Sequence, residues 1–218
     1  MRITQADLPP HGIDWARMDG SAAALKFARR DLQTVREALA HVPQRRVAVQ
    51  AGGCLGVFPK YLAMTFRLVY TFEPMPQSYR KMLANAPESN IVACQAALGY
   101  DRTPVAMMQR RRTKTHAPAH EGIAHVSGAG TVPVVRVDDL ALFECDFLCL
   151  DLEGYELEAL RGASDTLWLC RPVVMVEINE NITHYGKRQE DVRKLLALHH
   201  YRFVFRLHSD EVYVPERG

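Results

Sequence analysis

Apolar positions set out an alternation of helix and strand along the chain. Leu25, Ala28, Leu32, Val35 and Leu39 recur at helical spacing, which predicts an amphipathic helix over Leu25–His41 that Pro43 ends. Before it, residues 1–24 carry Pro9, Pro10, Gly12 and Gly20 and read as irregular. Short apolar runs then predict strands at Arg46–Gln50, Leu68–Phe72 and Ile91–Gln95, with helices between them at Val57–Thr65 and Gln77–Asn85. Val105–Met108 is strand-like, residues 109–130 read as a polar, basic loop, and Thr131–Val137 reads as another strand. The second half repeats the alternation: strand Asp146–Asp151, helix Glu156–Arg161 leading to Gly162, strand Val173–Ile178, and helix Gln189–His199. Tyr201–Leu207 and Val212–Pro215, joined through Ser209 and Asp210, predict a closing antiparallel hairpin.

Strands alternating with helices point to an α/β fold with a doubly wound, mostly parallel sheet, here finished by the antiparallel hairpin. The expected organisation is one compact unit, with an N-terminal segment at 1–44 whose helix packs on a core domain at 45–218. Ligands of such sheets lie beyond the carboxyl ends of the strands. That rule gathers Gln50–Gly56, Glu73, Gln95–Ala97 and Asp151–Gly154 around one cleft.

Composition narrows the class. A chain of 218 residues is long enough for a sizeable core, and its net charge of +2 is too small to argue for nucleic acid. There is no run of ~18 apolar residues and no apolar signal region at Met1–Pro10, so neither a membrane span nor secretion is expected. The five cysteines Cys54, Cys94, Cys145, Cys149 and Cys170 include no Cys-x-x-Cys, and most sit in or beside strand-like runs. They read as reduced, small apolar residues of a cytoplasmic protein rather than as disulfides, and no metal site is expected. His116, His120, Glu121 and His125 crowd the basic loop at irregular spacing and read as polar loop residues.

The candidate chemistry begins at Val47-Ala-Val-Gln-Ala-Gly-Gly-Cys-Leu-Gly56, a strand breaking into a glycine turn, and at the acid Glu73 that ends the next strand. Glycines let backbone approach a ligand, and an acid about 20 residues on suits ribose hydroxyls. The loop has neither the Gly-Lys-Ser/Thr ending of a P-loop nor the full G-x-G-x-x-G of dinucleotide enzymes. It suits a ligand without a pyrophosphate, such as S-adenosylmethionine.

Further blocks follow in order: Val135-Arg-Val-Asp-Asp-Leu140, Asp146-Phe-Leu-Cys-Leu-Asp-Leu-Glu-Gly154 with Glu156, Leu160-Arg-Gly-Ala163, and Arg171-Pro-Val-Val-Met-Val-Glu177. With Phe72-Glu-Pro74, Asn90-Ile-Val92 and Ala97-Leu-Gly99 they resemble the FkbM family of S-adenosylmethionine-dependent methyltransferases, over about residues 45–215. The resemblance implies a Rossmann-like class I methyltransferase fold and S-adenosylmethionine as cofactor. It implies that Gln50, Ala51, Gly52, Gly53 and Gly56 line the loop under the methionine tail. Glu73 would take the ribose, with Pro74, Met75, Gln95 and Ala96 about the adenine, and Asp151 would lie nearest the methyl group.

The implied reaction is O-methylation of a hydroxyl on a sugar, glycan or small metabolite. Asp151, Glu153 and His184 are the candidates for alignment or base work, each set against an ordinary structural role. Glu177 ends a strand on the cleft side, as an acceptor-facing or a solvated acid. Two departures stand out: Gln50 replaces the family's usual acid, and Cys54 a frequent asparagine. They keep open a second reading, a catalytically degenerate relative serving as a binding or assembly module. Arg110-Arg-Arg112 with Lys114 would suit an anionic acceptor or, in a weaker third reading, nucleic acid; the absence of interleaved aromatics counts against the latter.

Overall fold

The computed structural model of the chain describes residues 13–109 and 124–216. The basic run Arg110–Lys114, with His116, His120 and Glu121, lies outside the described residues. After a helical turn at Trp15–Arg17, helix α1 (Ala22–Leu39) starts at Ser21, whose hydroxyl accepts from the Ala24 amide and so satisfies one of the free first-turn donors. The chain then runs through β1 (Val47–Ala51), α2 (Val57–Ala63), β2 (Leu68–Phe72), α3 (Pro76–Asn85) and β3 (Ile91–Cys94). A middle section follows: β4 (Ala97–Leu98), β5 (Val105–Gln109), β6 (Ala124–Ala129) and β7 (Val134–Val135). It continues as β8 (Phe147–Leu150), α4 (Glu156–Arg161), α5 (Ser164–Leu169), β9 (Val173–Glu177), α6 (Gln189–Leu198), β10 (Tyr201–Leu207) and β11 (Asp210–Pro215).

Seven strands form the main sheet in the order β10-β11-β9-β8-β1-β2-β3. The five from β3 to β9 are parallel, and β11 joins β9 antiparallel. Strand order reverses at β1, so the loops after β1 and β8 diverge and leave a crevice between them, as expected of an open α/β sheet. Alternation along β1 sends Ala48 to the face covered by α1 and α2, and Val49 and Ala51 to the face covered by α4, α5 and α6. Leu32, Val35 and Leu39 of α1 are fully buried in the first of these layers; each contributes about 1.5–3 kcal/mol by leaving water.

The sequence pattern misplaces the middle of the chain. Residues 124–129, expected within a loop, form β6 and pair antiparallel with β5. Ala124–Ala129 is too poor in large apolar residues to announce a strand, and the ladder with β5 supplies what its side chains do not. The expected strand Thr131–Val137 shrinks to Val134–Val135, because Pro133 has no amide to donate and Val137–Leu140 closes into a helical turn. Helix α5, six residues long, and the turn Glu180–Tyr185 are both additional to the sequence-based elements. The hairpin turns at His208 and Ser209, so Asp210 is already in the ladder, opposite Leu207 and Glu177.

Candidate functional site

The cleft is built around the end of β1. The amides of Gly52 and Gly53 both donate to the Phe72 carbonyl, at 3.1 and 3.0 Å, which folds the glycine turn back against β2. Gly52 holds φ +85°, and a Cβ there would lie 2.0 Å from the carbonyl oxygen of Asp151. Only glycine lets the loops after β1 and β8 approach this closely. Glu73, at the end of β2, is nearly buried and joins two segments. One carboxylate oxygen accepts from the Cys54 amide at 2.7 Å and the other from Met75 at 2.8 Å. Burial raises its pKa and these amides oppose the rise. Each oxygen keeps lone-pair capacity for a hydroxyl in the cleft.

A second group of acids forms the floor. Carboxylate oxygens of Asp151, Glu156 and Glu177 lie within 4.8 Å of one another. Burial raises the Asp151 pKa well above the usual carboxylate range, and Glu177, Glu153, Asp210 and Glu156 raise it further. Glu156 is pushed up to about 8, chiefly by burial and then by Glu177, although its Oε1 accepts from the Leu152 and Gly154 amides at 2.7 and 3.1 Å. Asp210, facing Glu177 across the ladder, is pushed up to about 7 by burial and by Glu177.

These raised values fix a pH dependence. Between the unfolded carboxylate pKa of ~4.3 and about 8, the native state holds a proton on Glu156 that the unfolded chain has lost, so stability falls as pH rises. Glu156→Gln keeps an oxygen for the two amides and removes this loss. Its melting temperature should match wild type near pH 5 and exceed it at pH 8.5, as thermal unfolding at both pH values would read. A variant less stable than wild type at pH 8.5 would refute the assignment.

The cleft measures about 300 Å³, at the lower end of small-molecule sites. Of the residues singled out in the sequence, Gly52, Gly53, Glu73, Pro74, Ala96, Asp151, Glu153 and Glu177 line it. Gln50, Ala51, Gly56, Met75, Gln95 and His184 stand outside its wall. Gln50 is fully buried, its carbonyl accepting from the Thr71 hydroxyl at 2.6 Å. Gln95 is exposed beyond β3. His184 is exposed, with Nδ1 2.7 Å from the Asn181 carbonyl and its ring stacked on His125 at 5.9 Å. Glu153 sits at φ +54°, an uncommon conformation for a side-chain-bearing residue, with its carboxylate accepting from the Asn181 amide group at 2.7 Å.

Two walls were absent from the sequence reading. Ala24, Phe27, Ala28 and Asp31, at i, i+3, i+4 and i+7 of α1, overhang the cleft together with Arg30. Asn85 anchors the approach to that helix by bonding both the amide and carbonyl of Asp19 and the carbonyl of Leu55. The β5–β6 hairpin supplies Met107, Ala124 and Val126, and Tyr155 closes the side between. Tyr155 meets Tyr185 edge to face at 5.1 Å, and the Tyr185 hydroxyl donates to the Val126 carbonyl, which ties hairpin to core.

A family model described as methyltransferase FkbM domain matches residues 40–204. Among solved structures, a methyltransferase FkbM from Methylobacillus flagellatus KT is 16% identical, with a TM-score of 0.50 over 92% of this chain and 56% of that one. The chain thus spans little more than half the length of that protein. Magnesium protoporphyrin IX methyltransferase from Synechocystis PCC 6803, with bound SAM, is 14% identical, with a TM-score of 0.51 over 93% of this chain and 89% of that one. The N-methyltransferase NodS from Bradyrhizobium japonicum WM9, in complex with S-adenosyl-L-homocysteine, is 12% identical, with a TM-score of 0.50 over 94% and 92%. These likenesses show a class I methyltransferase fold. No curated protein matches the sequence, and among the described residues no helix is long and apolar enough to cross a membrane.

Proposed function

The chain belongs to the FkbM methyltransferase family, and on that premise we propose that it moves a methyl group from S-adenosylmethionine to a hydroxyl of a sugar, glycan or other small metabolite. The observation that carries the cofactor is Glu73: a strand-end carboxylate, fixed by two amides, beside a glycine turn in a cleft of suitable size. A ribose diol fits such a group, and two positive charges fit the acids on the floor. The cofactor supplies an electrophilic methyl carbon on a sulfonium. The chain's own residues then have to orient the acceptor in line, keep water out, and take the hydroxyl proton. Asp151 fits the last task, because its surroundings raise its proton affinity far above that of an exposed carboxylate. Phe27, Met107, Val126 and Tyr155 offer the acceptor an apolar wall.

Gln50 favours the second reading, a relative that no longer turns over, because the family's usual acid is missing there. Thermal unfolding separates the two. S-Adenosylmethionine or S-adenosylhomocysteine at ~100 times its dissociation constant should add about 2.7 kcal/mol, a rise of roughly 5–11 °C for a chain of this size. Glu73→Ala should abolish the rise. No rise in wild type at millimolar ligand would overturn the enzyme reading in favour of the module.

A further inference from the structure

We infer that Glu177, with Asp151 beside it, is the cation-binding end of the cleft and takes the ammonium group of the cofactor's amino-acid tail. The inference rests on the S-adenosylmethionine reading above. It answers what supplies the negative charge that Gln50 lacks. Gln50 stands opposite Thr71 and Cys149 in the strand registers, buried, with its carbonyl already bound by Thr71. It presents no negative charge to the cleft: its Nε2 is a buried donor without a hydrogen-bond partner among the described residues.

Glu177 presents one. It ends β9 at the cleft wall, and one of its oxygens accepts from the Ser209 hydroxyl at 2.9 Å. The other, Oε2, is buried with no hydrogen-bond partner among the described residues. An acceptor buried without a donor is costly. A donor carrying positive charge is the group that relieves both the missing bond and the repulsion from Asp151.

Most elements around the pair add to that repulsion. Glu153 precedes α4 and Glu156 lies on it, and Asp210 comes from β11; the buried Cys149 thiol on β8, its pKa raised, is neutral. From α1, Asp31 adds a further acid near Asp210, whereas Arg30 brings a positive charge toward Asp210 and Glu177 while bonding Asp31 at 2.6 Å. Arg30 is the natural counter-charge for the carboxylate of the same tail. Burial and the surrounding acids favour a proton on Asp151 before the tail arrives. An arriving ammonium replaces it, and the proton leaves to solvent. Binding of any ligand that carries the tail is therefore coupled to proton release, and tightens as pH rises toward the point where Asp151 ionises unaided.

Titration calorimetry on the whole chain tests this. S-Adenosylhomocysteine carries the tail, and 5′-methylthioadenosine has the same nucleoside and thioether without it. Each is titrated at pH 7 in phosphate and in Tris, whose ionisation enthalpies differ. Wild type should release about 0.5–1 proton with S-adenosylhomocysteine and none with methylthioadenosine. Glu177→Gln should bind S-adenosylhomocysteine about 10- to 100-fold more weakly, the worth of one charge-assisted hydrogen bond, without proton release. Its affinity for methylthioadenosine should stay within about twofold.

Binding of S-adenosylhomocysteine to wild type without proton release would overturn the inference and leave the cofactor reading intact. So would a Glu177→Gln variant that weakens both ligands equally. Stabilisation of wild type by millimolar Mg²⁺ without nucleoside, lost in Glu177→Gln, would reassign the pocket to a metal ion. If neither nucleoside binds wild type, the cofactor reading falls and this inference with it.

Discussion

Gly52→Ala should unfold the protein more readily by about 3 kcal/mol or more and abolish stabilisation by S-adenosylhomocysteine. Two effects add. A residue with a Cβ pays ~1–2 kcal/mol to adopt the left-handed region, and Gly52 holds φ +85°. The larger effect is contact: the new methyl would lie 2.0 Å from the Asp151 carbonyl oxygen, a backbone atom that cannot swing aside. To accept it, the loops after β1 and β8 must separate, and that separation pulls Asp151 and Glu73 out of register. Gly186→Ala is the control. Gly186 also has positive φ, +64°, but a Cβ there meets nothing within 4 Å, so only the conformational cost applies. Urea denaturation should show the first variant losing at least about twice what the second loses. Equal losses would mean that the β1 and β8 loops yield freely, and the close approach would not be what shapes the cleft.

Much of this site can be read from residue order. Glu73 is visible because an apolar run ends abruptly in an acid and a proline. Asp151 is visible for the same reason at the end of β8. The orientation of Gln50 follows from the two-residue period of a strand: it shares a face with Ala48, toward α1 and α2, the side on which Asp151 and Glu177 also fall, but it lies within the ladder, bound by Thr71, rather than at the strand's end. What residue order hides is assembly. The pairing of Asp210 with Glu177 depends on where the β10–β11 hairpin turns, and a one-residue error at Ser209 moves Asp210 out of the ladder. The overhang of α1 was present as Ala24, Phe27, Ala28 and Asp31 on one helical stripe, but nothing in a helical period says which flank will roof a cavity.

The blocks that carry the family resemblance divide between chemistry and scaffolding. Asp138 caps α5, accepting from the Asp165 and Thr166 amides and the Thr166 hydroxyl. Arg171 donates to the carbonyls of His199, His200 and Glu216 and stacks on Tyr201 at 4.9 Å, which holds the end of α6 and the last strands against the start of β9. Glu156 binds the amides of the turn that presents Asp151 and Glu153. A residue pattern that marks a family therefore marks the scaffold as much as the reacting groups, and only contacts tell the two apart. By that test Asp151 and Glu177 stand out: they line the cleft, and the strongest electrostatic influences on Asp151 come from other acids.

Asp151→Asn should yield a protein that is more stable than wild type at neutral pH and transfers methyl groups about 10²- to 10⁴-fold more slowly, the usual worth of a positioned base. The stability gain follows from sign. Asp151 carries a pKa raised by burial and by surrounding acids, so at pH 7 the native state pays either to keep its proton or to hold its charge; the unfolded chain pays neither. Asparagine has nearly the same shape and removes that cost. The loss of turnover follows from chemistry, since an amide cannot take the acceptor's proton. Cofactor binding and catalysis are linked through the same pair. When the tail's ammonium displaces the proton that its surroundings favour on Asp151, Asp151 is left as a carboxylate beside the acceptor, so loading the cofactor prepares the base. Glu177→Gln should accordingly weaken cofactor binding, and Asp151→Asn should lower kcat. Thermal unfolding and transfer from labelled S-adenosylmethionine to a hydroxyl acceptor that wild type methylates would read both. A stable Asp151→Asn that keeps kcat within about threefold would remove Asp151 from the proton's path. A destabilised one would show that its carboxylate supports the fold, contrary to the repulsion that its neighbours impose.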